Sequence, residues 1–131
     1  MAWRVTAIRL VFAANVLVEG AAGLYCVYSS QAASRLLFVG MDIPSMVMRL
    51  LGAFWLSIAL LSAIGISRTV RFSVVLVLQL IYKSIWLIAV ALPAVVRSET
   101  DLIPTNTSAL FFIWVIFLPF VIPWRYLLQS R

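Results

Sequence analysis

The sequence predicts an all-α integral membrane protein: a single four-helix bundle over residues 1–131, with both termini in the cytoplasm. Three observations predict it. The composition is 65% hydrophobic and only 11% charged, with a mean hydropathy of +1.13. An ordinary soluble domain has about 25% charged residues to cover its water-facing shell, so lipid is the solvent that this chain fits. Four apolar runs each reach the roughly 20 residues that a crossing helix needs. The basic residues between those runs segregate to one side, as positive-inside topology requires.

The first span is placed at residues 5–28. Arg4, Arg9 and the small Ala21-Ala22-Gly23 stretch resemble a signal peptide. Glu19, however, interrupts the run where an h-region is purest, and Tyr25 before Cys26 is wrong for lipoprotein cleavage, so the segment reads as a retained helix. In the following loop, 29–44, the residues Ala32, Ala33, Leu36, Leu37 and Phe38 repeat as an interfacial helix would. Asp42 and Pro44 mark the start of the second span, 45–66, with Pro in the first turn. The short connection 67–71 makes spans two and three antiparallel neighbours.

Span three, 72–95, carries Lys83 near its middle with Gln79 one turn earlier. A central Lys costs about 3 kcal/mol on the insertion scale, and each Leu, Ile, Val or Phe returns about 0.3–0.6. Residues 72–92 hold thirteen of these, whose sum of roughly −4 to −8 kcal/mol outweighs the charge. Span four, 108–127, has Thr107 or Ser108 as its cap. Pro119 and Pro123 bend it, as a packing helix rather than as a gating hinge. Trp114, Trp124 and Tyr126 suit interfacial or packing positions. Asn106-Thr107-Ser108 fits a glycosylation sequon, which matters only in a eukaryotic secretory host.

Arg4, Arg9, Arg68, Arg71, Arg125 and Arg131 fall at the N-terminus, the second loop and the C-terminus, which four spans place on one side. The other side has Arg35 and Arg97, balanced by Asp42, Glu99 and Asp101. The expected location is a bacterial cytoplasmic membrane.

Composition also excludes functions. There is no His and one Cys, Cys26. A structural zinc site, a His-ligated haem, an intrachain disulfide and a Ser–His–Asp or Cys–His catalytic set therefore cannot be built. No metal site, catalytic residue or resident cofactor is predicted. The net charge of +6 is scattered rather than clustered, which argues against nucleic acid.

The candidate site lies among the polar groups inside the spans. Asn15 and Glu19 share one stripe of span one; Gln79, Lys83 and Trp86 share one stripe of span three. Arg49 lies one turn inside the outer end of span two. At about 1.5 Å per residue, Glu19 lies in depth between Arg49 and Lys83. Intramembrane charges face the bundle interior and pair. The expectation is a Glu19–Arg49–Lys83 cluster, with Asn15 and Gln79 completing hydrogen bonds. Such a cluster reads either as a network that fixes helix packing or as a polar site for a headgroup, a quinone or a proton. Small residues at Gly20, Gly23, Gly52, Ala53, Ser57, Ala59 and Ala63 predict close helix approach.

The four-span plan, the longer first loop, the Pro before span two and the stretch Arg49-Leu-Leu-Gly-Ala-Phe-Trp-Leu-Ser-Ile-Ala-Leu-Leu resemble the DoxX-like group of small bacterial four-helix membrane proteins. That resemblance implies an accessory role, in quinone-linked oxidoreductase complexes or as a membrane chaperone. Lys83 lies outside the likeness. The small multidrug transporters also have four spans and a glutamate in the first, which Glu19 matches loosely, but the two cations would neutralise it. A lipid isomerase has the least support, with one deep carboxylate and no His. The expected function is thus an accessory or binding protein whose intramembrane pocket holds a quinone- or lipid-like molecule. The alternatives are a small proton- or ion-coupled transporter using Glu19, and a purely structural or chaperone-like subunit. Expected partners are membrane lipid, other membrane subunits or further copies of the chain.

Overall fold

A computed structural model describes residues 2–39 and 41–129, which are helical almost throughout. The helices are α1 Ala2–Tyr28, α2 Ser30–Leu37, α3 Ser45–Ser67, α4 Thr69–Phe72, α5 Val74–Trp86, α6 Leu92–Val96, α7 Thr105–Val121 and α8 Trp124–Leu128. A π-helical stretch, Leu87–Ala91, joins α5 to α6, and α4 leads into α5 through a single turn residue, Ser73, so Thr69–Val96 is one run of 28 residues. That run, α1 and α3 are each long and apolar enough to cross a membrane. Their lipid-facing surfaces are rich in exposed Leu, Ile, Val and Phe, as expected of an integral membrane protein.

α1 buries Ile8, Phe12, Asn15, Glu19, Gly23 and Cys26, a stripe at intervals of three and four. It packs antiparallel on α3, which presents Met48, Gly52, Trp55, Ala59, Ser62 and Gly65. Small residues make this the most intimate pairing in the chain. A Cβ built on Gly23 would lie 2.9 Å from the Gly52 carbonyl oxygen, and one on Gly52 would lie 2.7 Å from that of Gly23. The two backbones therefore touch directly, as small residues permit in membrane helices.

The second intimate pairing is α5 with α7. α3 and α5 follow one another through the short turn at Arg68, yet their backbones meet only sparsely. Large side chains fill the space between the two pairs. Ile8, Phe12, Ile58, Leu76, Leu118 and Ile122 form a core towards the termini. Trp55, Met48 and Phe111 form another towards α2.

Prolines account for the irregular segments. Pro93 cannot donate to the carbonyl of Ala89, and just before it the helix widens into π turns, with the Leu92 N–H reaching the Leu87 carbonyl. Pro123 ends α7: Ile122 is pushed to ψ 129° by the proline that follows it. Residues 108–127 are thus not one helix but two, broken at Ile122–Pro123. The Pro119 carbonyl, which Pro123 cannot serve, instead accepts the Trp124 indole N–H at 2.8 Å.

Of the two start signals, one holds and one differs. α3 begins at Ser45, with Pro44 just before it and the Pro44 carbonyl accepting from the Met48 N–H at 3.1 Å. α7 begins at Thr105, so neither Thr107 nor Ser108 caps it. Thr107 instead donates to the Leu37 carbonyl at 2.6 Å, serving an orphan group at the end of α2. That bond ties α7 to α2, which lies against α1 and α3. At the opposite end, Arg9 Nε donates to Thr69 Oγ1 at 3.2 Å, and Arg4, Val70 and Arg125 line a common cleft.

Candidate functional site

Glu19 lies nine residues before the end of α1, about 14 Å along the helix. It belongs to the buried stripe although it is charged, and it is 8% exposed. Lys83, 3% exposed, reaches it from α5, with Nζ 2.8 Å from Glu19 Oε1. These two long side chains join the α1–α3 pair to the α5–α7 pair where the backbones stand apart. An ion pair so buried needs further hydrogen bonds to offset desolvation of both charges.

Those bonds are present. Gln79, fully buried one turn before Lys83, donates Nε2 to Glu19 Oε2 at 3.3 Å and accepts from Lys83 Nζ at 3.2 Å through Oε1. Trp114 Nε1, from α7, donates to the same Gln79 Oε1 at 2.9 Å. Tyr82 Oη lies 3.5 Å from Glu19 Oε1, a long and weak contact. The Lys83 ammonium also sits over three aromatic rings, at 4.9 Å from Tyr82, 5.5 Å from Phe111 and 5.8 Å from Trp114. Ring faces attract a cation, more strongly where water is absent.

Three of the six expected site residues, Glu19, Lys83 and Gln79, meet in this network. The other three stand elsewhere. Arg49 is exposed, and among the described residues Glu19 pairs with Lys83 alone. Arg49 has the depth to reach Glu19 but not the direction. Met48 and Gly52 are buried, Gly52 against α1, and Arg49, one residue after Met48, is turned about 100° away from Met48. Asn15 does not join the carboxylate either. It donates Nδ2 to Ser62 Oγ at 3.1 Å and clasps α1 to α3 one turn away. Trp86 shares the stripe of Gln79 and Lys83 but is half-buried, and it donates to Ser108 Oγ on α7 at 3.3 Å.

Sequence reasoning missed Tyr82, Phe111 and Trp114 as members of the site. Tyr82 is off the Gln79–Lys83 stripe, and only the direction of Glu19 brings them together. Trp114 carried one readable signal, an indole N–H within an apolar span, which must find an acceptor when buried. Trp114→Phe removes the Gln79 contact while keeping a large ring. The expected loss is about 1 kcal/mol, read as a lowered unfolding midpoint in detergent. An unchanged midpoint would show that the indole bond does not form.

The ion pair forms part of the wall of a cavity of ≈ 80 Å³, otherwise mostly apolar, with Ala22, Trp55 and Phe111 among its lining residues. A water needs roughly 10–15 Å³ of such space, so the cavity has room for several waters or for the head of a small molecule. Val18 on α1 and Leu110 on α7 line it too, and they are 43% and 40% exposed. Its mouth therefore opens sideways between α1 and α7. No family model, curated protein or solved structure matches the chain.

Proposed function

We propose that the chain is a four-span protein of a bacterial cytoplasmic membrane that holds the polar head of a quinone- or lipid-like molecule in the Glu19–Lys83 cavity. It acts as an accessory or binding subunit, in keeping with its likeness to the DoxX-like group. Its termini face the cytoplasm. The fourth crossing is α7, whose 17 residues span about 26 Å, continued by α8. Orientation follows from Arg4, Arg9, Arg68, Arg71 and Arg125 at one end, against Arg35 and Arg97 diluted by three acids at the other.

One observation carries the binding reading: an apolar cavity with a sideways mouth has a neutralised charge pair in its wall. Lys83 Nζ has three N–H groups, two of them engaged by Glu19 and Gln79. The third is available to a carbonyl or hydroxyl oxygen. The pairing of Glu19 speaks against the transporter reading, because a carboxylate that exchanges cations works without a fixed ammonium beside it.

The test has two parts. Protein purified in mild detergent is extracted with solvent, and mass spectrometry should find one apolar molecule at near-stoichiometric amount. A short-chain benzoquinone should then quench tryptophan fluorescence saturably, and Ala22→Leu, which fills the cavity, should abolish the saturable part. Quenching that is linear and equal in both proteins, with an extract holding no enriched molecule, would overturn the proposal and favour a structural subunit.

A further inference from the structure

A second apolar recess lies against some of the same aromatic residues. Where α3 and α5 stand apart, Val47, Leu51 and Phe54 face Ile85 and Val90 across a groove of ≈ 460 Å³, with Trp55, Tyr82 and Phe111 behind it. Trp55 and Phe111 line both this groove and the Glu19–Lys83 cavity, so the two adjoin at these rings. Val47 is 53% exposed and Ile85 52%, so the groove is open along its length. Its polar surface is minimal, as suits hydrocarbon.

At the end nearest α2 the character changes. Met41 and Ile43 line the groove and also line a polar pocket of ≈ 370 Å³ with Gln31, Ser34, Arg35 and Asp42. The two recesses thus adjoin at Met41 and Ile43, one apolar and one polar. The polar end presents one guanidinium and one carboxylate. Arg35 offers a fork suited to phosphate. Asp42 favours an ammonium and disfavours a second negative charge.

We infer that α2, α3 and α5 form a seat for one zwitterionic phospholipid, its phosphate on Arg35, its ammonium on Asp42 and an acyl chain in the groove between Val47 and Ile85. A net-anionic head would set its charge against Asp42, and a lipid without phosphate would leave Arg35 without a partner. Arg35, Asp42, Val47 and Ile85 are not among the residues that line the Glu19–Lys83 cavity, so the inference does not depend on what that cavity holds.

The full chain, in mixed micelles with equal amounts of phosphatidylethanolamine and phosphatidylglycerol, can be read by native mass spectrometry. The expected result is a single bound phosphatidylethanolamine, preferred at least fivefold. Asp42→Asn should reverse that preference. Arg35→Gln should lower retention of phosphatidylethanolamine several-fold. Val47→Trp, which fills an exposed part of the groove and leaves the core untouched, should reduce both lipids with helix content unchanged. Three results would each overturn the inference: equal retention of both lipids, preference for phosphatidylglycerol in the parent protein, or retention in Val47→Trp equal to the parent's. So would a dimer that covers the groove, seen as a doubled mass that excludes lipid.

Discussion

Glu19→Gln should be the most damaging conservative substitution in the chain, at about 3–5 kcal/mol of folding stability. The amide is nearly isosteric and can still accept from Tyr82, so packing changes little. What is lost is the negative charge 2.8 Å from Lys83 Nζ. Lys83 is 3% exposed and has no other acid beside it among the described residues, so an unpaired ammonium would be stranded among Gln79, Phe111 and Trp114. A buried charge without its partner costs far more than the pair gains over a neutral replacement. The double variant Glu19→Gln with Lys83→Met should therefore recover most of the loss. Unfolding of detergent-solubilised protein, followed by circular dichroism across the four-member cycle, measures this. If the single variant matches the parent, or the double loses as much as the sum of the singles, the ion pair does not form as described.

Gly52→Ala is expected to follow, costing about 1–3 kcal/mol through overpacking. The new methyl would lie 2.7 Å from the Gly23 carbonyl oxygen and 2.7 Å from the Cys26 Cβ. Neither is the end of a flexible side chain, so α1 and α3 must move apart. Gly23→Ala meets the same backbone from the other side, with the Gly52 oxygen at 2.9 Å. Gly20→Ala is the control: its methyl would rest 3.6 Å from the Ala59 Cβ, an ordinary contact, and the change should be close to neutral. Unfolding midpoints of the three variants, compared side by side, test the order. Equal effects at positions 20 and 52 would show that the two backbones do not meet there.

Much of the architecture was legible because lipid imposes a strong rule. Backbone groups in hydrocarbon must bond internally, so long apolar runs become helices. Run lengths alone located α1, α3 and the 69–96 helix within a few residues. The break at Ile122 was less legible. Two prolines predict a bend, but the Trp124 indole that serves the Pro119 carbonyl is what lets the chain stop and restart there.

The site was legible only in part, for a geometric reason. Spacing along one helix states which residues share a stripe, and so it grouped Asn15 with Glu19 and Gln79 with Lys83. It does not state the angle at which that stripe meets another helix. Arg49 has the right depth and the wrong azimuth, Asn15 meets Ser62 before it can meet the carboxylate, and Trp86 turns to Ser108. Tyr82 and Trp114 came to Glu19 and Gln79 across sequence separations of 63 and 35 residues. No local periodicity encodes such meetings.

What this sequence determines by itself is therefore the solvent, the helical class and the presence of charges that must be buried in pairs. These follow from transfer free energies, which are properties of single residues and short runs. What only the tertiary structure decides is which charge pairs with which. That depends on the rotation of each helix about its axis, set here by glycines that seat α1 on α3 and by aromatic side chains that hold α5 and α7 away.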